Sequence, residues 1–147
     1  MTAKQYLRSI RSEQKELKTM IEHRETIYFS LLPSAIRYDK DRVQTSPDDQ
    51  MMDKVIKTTE LDAEIDEYIA MLRKHKADAL KIIRQINNSL YRQVLIDYYL
   101  VTKENGKPMR WDDVAGEIFR GERQTKRIHG KALIEFQKKF DKFQKSC

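Results

Sequence analysis

From Ala3 to Leu32, and again from Pro47 to Asn87, apolar residues recur at steps of three and four, and no Gly or Pro interrupts either stretch after its first residue. In the first stretch they fall at Tyr6, Ile10, Leu17, Met20, Ile21, Ile27, Tyr28 and Leu31. In the second they continue through Met51, Val55, Leu61, Ile65, Tyr68, Ile69, Leu72, Leu80, Ile83 and Ile86. This is the period of a helix with one buried stripe. Pro33 ends the first helix, which at about 29 residues reaches roughly 43 Å. Residues 33–46 lose the period and read as a loop. Ser46 is placed as the N-cap of the next helix, Pro47 at its first position, and Asp48 and Asp49 where acids oppose the positive helix end. Between Leu72 and Leu80 the stripe thins to His75, Lys76 and Ala79, where looser packing or a bend is expected. Two long helices with narrow stripes must cover each other, so an antiparallel helical hairpin is the expected structure. The same spacing also permits an intermolecular coiled coil and hence a homodimer.

Asn87-Asn88-Ser89 breaks this pattern and offers a new N-cap. The following LYRQVLIDYYLV is apolar on nearly every side, and Tyr91, Val94, Leu95, Tyr98, Tyr99 and Leu100 read as core. Lys103 to Pro108 is a polar turn with two breakers, with Gly106-Lys107-Pro108 as the alternative tip of a short hairpin. From Trp111 a short helix puts Trp111, Val114, Ala115 and Ile118 on one face. A tight break at Arg120-Gly121 follows, where Gly is expected to supply a conformation other residues resist. The last helix starts at Glu122 and turns Ile128, Ala132, Leu133 and Phe136 inward. The expected class is all-α, with residues 1–88 as the hairpin and residues 89–147 as a helix-turn-helix unit.

Composition narrows the function. Charged residues make up 35% and apolar ones 39%, a mixture typical of long helices, and no apolar run approaches the roughly 20 residues of a membrane span. The start, MTAKQYLRSIRSEQ, lacks a signal-peptide pattern, and the lone Cys147 fits a reducing compartment, so a cytoplasmic protein is expected. His23, His75 and His129 have no Cys or carboxylate around them at metal-ligand spacing. No nucleophilic triad, phosphate-cradling glycine loop or pair of buried carboxylates is legible, so neither an enzyme nor a cofactor or metal is expected.

Charge points elsewhere. Arg120 to Lys145 holds nine Lys and Arg against three acids, a net of +6 that equals the formal charge of the whole chain, whereas residues 47–88 carry seven basic and nine acidic residues. Basic charge gathered on a helix behind a tight turn is the footprint of a DNA reader. Early residues of the second helix of such a motif meet base edges, and Arg and Gln match guanine and adenine. Arg123, Gln124 and Arg127 are therefore the expected base contacts, with Arg120, Lys126, His129 and Lys131 on phosphates.

The run W-D-D-V-A-x-x-I, a turn, then K-R-I-H-G-K-A-L resembles the C-terminal helix-turn-helix of small phage and prophage transcriptional regulators of the ArpU/RinA-like type, units similar in turn to region four of sigma factors. The M-T-A-K-x-Y-L opening, Tyr38-Asp39, Arg42-Val43-Gln44 and a long helix from Ser46-Pro47 extend the similarity over most of the chain. Three places depart from the pattern: the connection VTKENGKPMR is longer, Phe119-Arg120 precede Gly121, and Thr125 stands where a β-branched apolar residue anchors the second helix. The resemblance implies activation of late phage genes through double-stranded promoter DNA and host RNA polymerase. The alternative is a helical interaction protein, such as a phage packaging or adaptor component, that does not bind specific DNA.

Overall fold

The computed structural model describes residues 1–31 and 47–145. Among these the chain is all-α. The elements are α1 (Ala3–Ser30), α2 (Pro47–Ile83), α3 (Ser89–Leu95), a π-helical turn (Ile96–Leu100), α4 (Trp111–Ile118) and α5 (Glu122–Lys145). The loop with Tyr38-Asp39 and Arg42-Val43-Gln44, the Ser46 cap and Cys147 lie outside the described residues. No helix among the described residues is long and apolar enough to cross a membrane.

Several boundaries follow from local chemistry. Pro47 opens α2, as its fixed φ and missing N–H favour. The last turn of α2 tightens where Gln85 N–H donates to Ile82 and Ile86 N–H to Ile83, which ends the helix a few residues before Asn87. Asn88 is the N-cap of α3, its side-chain oxygen accepting from Leu90 N–H (2.9 Å) and Tyr91 N–H (3.2 Å). The polar turn after residue 101 closes on a single antiparallel bridge without flanking strands, and Pro108 lies in that bridge rather than at the tip. Thr102 bridges Pro108, Lys103 N–H donates to Lys107 O at 2.8 Å, and Gly106 sits at φ 82°, a conformation glycine adopts without a Cβ clash.

The chain divides into two compact units, and the division falls inside α1 and α2 rather than at residue 88. The larger unit is Met1–Glu16 with Met71–Cys147; the smaller is Leu17–Ala70. The first four turns of α1 belong with α5 because their apolar residues have a partner there. Tyr6 stacks against Phe136 and Phe140, with ring centroids 6.5 and 5.1 Å apart, and Ala3 N–H donates to Gln137 Oε1 at 3.0 Å. Leu7 and Ile10 are fully buried. In the same unit Glu13 pairs with His75 at 2.8 Å. Val94, Met109, Val114, Ile118 and Ile128 form a core cluster, with Leu90, Tyr91 and Tyr98 against it.

In the smaller unit Asp62 accepts from Arg24 (3.3 Å) and from the Tyr28 hydroxyl (2.9 Å), and Lys54 donates to Ser30 O at 3.4 Å. These contacts join α1 to α2 within the smaller unit. Ile65 and Thr58 are buried here, while Tyr28, Phe29, Met51, Met52, Val55 and Ile56 remain exposed.

Candidate nucleic-acid interface

The two units differ sharply in charge. The larger holds 22 Lys and Arg against 11 Asp and Glu, a net of +11; the smaller holds 7 against 12, a net of −5. The chain's +6 is thus the difference between a strongly basic body and an acidic one. Besides α5, the excess includes Lys4, Arg8 and Arg11 from the start of α1, which belong to the same unit. Their signal was present in Tyr6, Leu7 and Ile10, the apolar residues that dock this segment.

On α5 the inward stripe is Thr125, Ile128, His129, Ala132, Phe136 and Phe140, all buried, with Leu133 at its edge. Arg123, Gln124, Lys126, Arg127 and Lys131 are exposed. Arg123, Arg127, Gly130 and Ile134 follow one another at helical spacing along the outward side, with Gln124 and Lys131 beside them. The expected base-contact residues are therefore brought together on the free side of α5. Lys126 pairs with Glu122 at 3.4 Å, an exposed ion pair of little energetic weight. Arg120 lies in the turn, with its guanidinium donating to Phe119 O at 3.3 Å.

His129 leaves the phosphate-contact set. It is 8% exposed, its Nε2 hydrogen-bonded to the Tyr99 hydroxyl at 2.7 Å and its ring edge-on to Trp111 at 4.7 Å. Burial, reinforced by Lys4 and Arg8, pushes its pKa down to about 4, so the imidazole is neutral near pH 7 and offers a phosphate no charge. Burial likewise pushes the Tyr99 phenol up to about 12. Tyr98 stacks on Trp111 at 4.0 Å and 12°, and Arg11 covers the Tyr98 ring at 4.0 Å while donating to Tyr98 O at 2.6 Å. Gln14 donates to Tyr99 O. The π-helical turn thus presents two adjacent tyrosines inward, where they join α1, α4 and α5.

The turn before α5 works differently from the sequence expectation. Gly121 does not hold a left-handed conformation, and a Cβ there would meet nothing within 4 Å. Phe119 does, at φ 56° and ψ 44°. Arg120 N–H reaches Ala115 O at 3.1 Å and Phe119 N–H reaches Gly116 O at 3.4 Å, a Schellman closure with Phe where Gly is usual. A side chain in that region costs about 1–2 kcal/mol. Gly121 serves instead as the N-cap of α5, its carbonyl accepting from Thr125 N–H (2.9 Å) and the Thr125 hydroxyl (2.8 Å). That second bond lets a polar β-branched residue fill the anchor position: Thr125 is fully buried with its hydroxyl satisfied. At the start of α4, Asp113 accepts from Arg110 N–H at 2.9 Å and pairs with Lys103 at 2.7 Å, and the Lys103 hydrogen bond is the main cause holding its carboxyl below the usual range.

A hollow of about 310 Å³ beside α4 is lined by Arg11, Tyr98, Arg110, Trp111, Asp112 and Glu122, two cations against two acids. Among the described residues, no group of three or more His, Cys, Asp or Glu is arranged to hold a metal ion. In comparisons with known proteins, no family model, curated protein or solved structure matches the chain.

Proposed function

We propose that the chain is a transcription regulator that binds double-stranded promoter DNA through the helix-turn-helix formed by α4 and α5, in the manner of the phage and prophage regulators its sequence resembles. The observation that carries this reading is the segregation of charge. A net of +11 is gathered in the larger unit, and Arg123, Gln124, Arg127 and Lys131 lie together on the exposed side of α5. A duplex releases condensed counterions to such a surface, and α5 has the width and side-chain chemistry to read the major groove. Arg123, Gln124 and Arg127 contact bases, while Arg120, Lys126 and Lys131 contact phosphates. With host RNA polymerase as the second partner, the bound chain activates late genes.

The test is selection from a randomised duplex pool by the full chain, followed by binding of the Arg127→Ala variant. Loss of one bidentate contact relaxes discrimination at one base position by about 1–3 kcal/mol and leaves the fold intact. A pool with no enriched motif contradicts the proposal.

The second reading, a helical interaction protein, is favoured by the smaller unit. Tyr28, Phe29, Met51, Met52, Val55 and Ile56 expose apolar surface on a body of net charge −5. Such a surface suits a protein partner or a second copy of the chain. Stoichiometric binding to a protein, with no affinity for any duplex, would favour it over the first.

A further inference from the structure

We infer that Phe119 is itself a DNA contact, an apolar anchor at the point where α5 enters the groove; this rests on the DNA-binding reading above. Three observations converge on it. Phe119 is the non-glycine residue of the described chain with positive φ, at 56°. It occupies the position closing α4 that glycine fills with least strain. Phe119 is 87% exposed, the largest exposure of any large apolar residue among the described residues. The fold therefore holds an aromatic ring in a disfavoured backbone conformation and buries almost none of it. Strain without internal compensation is the mark of a residue retained for something outside the fold.

Its neighbours identify that something. Phe119 adjoins Arg120 and stands three residues before Glu122, the first residue of α5; Arg123 and Arg127 follow on the exposed side of the helix. A surface that meets Arg120 and Arg123 at the N-terminal end of α5 lies within a few residues of Phe119 along the chain. A duplex offers an aromatic ring two apolar features next to its phosphates, the C5-methyl of thymine in the major groove and the face of deoxyribose along its wall. Either covers the ring while Arg120 and Arg123 meet the backbone. Phe119 so placed ties recognition to the entry of α5 rather than to charge alone.

The test uses the full chain, a short duplex selected by the wild-type protein, and two variants, Phe119→Gly and Phe119→Asn, both of which accept the left-handed conformation. Both variants should melt higher than wild type, Phe119→Gly by about 3 °C, and both should bind the duplex on the order of tenfold more weakly. Opposite signs for stability and affinity are what a merely structural residue does not give. A duplex with deoxyuridine in place of every thymine separates the two sources. If wild type loses affinity for it and the variants do not, the contact is the methyl; if wild type binds both duplexes equally while the variants stay weak, it is deoxyribose. Wild-type affinity in both variants overturns the inference and leaves DNA binding standing, as does a loss confined to Phe119→Gly, which would report turn flexibility. If wild type enriches no duplex, the DNA-binding reading itself fails.

Discussion

His129 shows how a residue's surroundings decide its chemistry. In the sequence it lies inside a basic run, where it is expected either to pack or to touch a phosphate. In the fold it lies four residues after Thr125 and seven before Phe136, on the buried stripe, hydrogen-bonded to Tyr99. That spacing was legible, but the charge of its neighbours outweighed it. A pH dependence follows. Because the folded pKa (about 4) lies below the unfolded value (6.5), the stabilisation is present above pH 6.5 and is lost as pH falls toward 4. At pH 5 the linked loss is about 2 kcal/mol. Thermal melts at pH 7 and pH 5 should show it in wild type, and a His129→Phe chain should lack most of the difference; equal pH dependence in both would place the titrating group elsewhere. Phe119 was missed for a different reason. Gly121 carried the usual sign of a left-handed residue, and sequence alone does not show which residue of Phe119-Arg120-Gly121 takes the turn.

At the level of elements, helix periods transferred well and partners did not. The apolar steps and breaker residues placed α1, α2, α4 and the start of α5 within a few residues of their observed bounds, since residues such as Pro47 and Gly121 act locally. What the steps could not supply was which stripe packs on which. The hairpin expectation spent the whole of α1 on α2, whereas Tyr6 meets Phe136 and Phe140 on α5 and Arg11 and Gln14 hydrogen-bond to the π-helical turn. These contacts join residues more than eighty positions apart, beyond the reach of any local pattern. They make a prediction that a boundary at residue 88 would not. Leu7→Ala, at a site of 0% exposure, should cost about 2–5 kcal/mol. The loss should be reported by the fluorescence of Trp111, the chain's one tryptophan. A variant whose Trp111 transition is unmoved would contradict the assignment of the first helical turns to the larger unit.

Taken whole, the molecule is a basic body of +11 and an acidic one of −5 on a single chain. The basic tail was visible in the sequence; that Lys4, Arg8 and Arg11 share its unit was not, because only folding brings them there. If the exposed side of α5 in this unit binds duplex DNA, binding weakens steeply as salt rises. For a selected duplex, log K should fall linearly with log salt, with a slope of about −0.9 for each phosphate neutralised. Replacing Lys126 and Lys131 by Gln in the full chain should make that slope shallower by nearly 2. A duplex affinity that is insensitive to salt, or a slope unchanged in the doubly substituted chain, would contradict DNA binding by this side of α5.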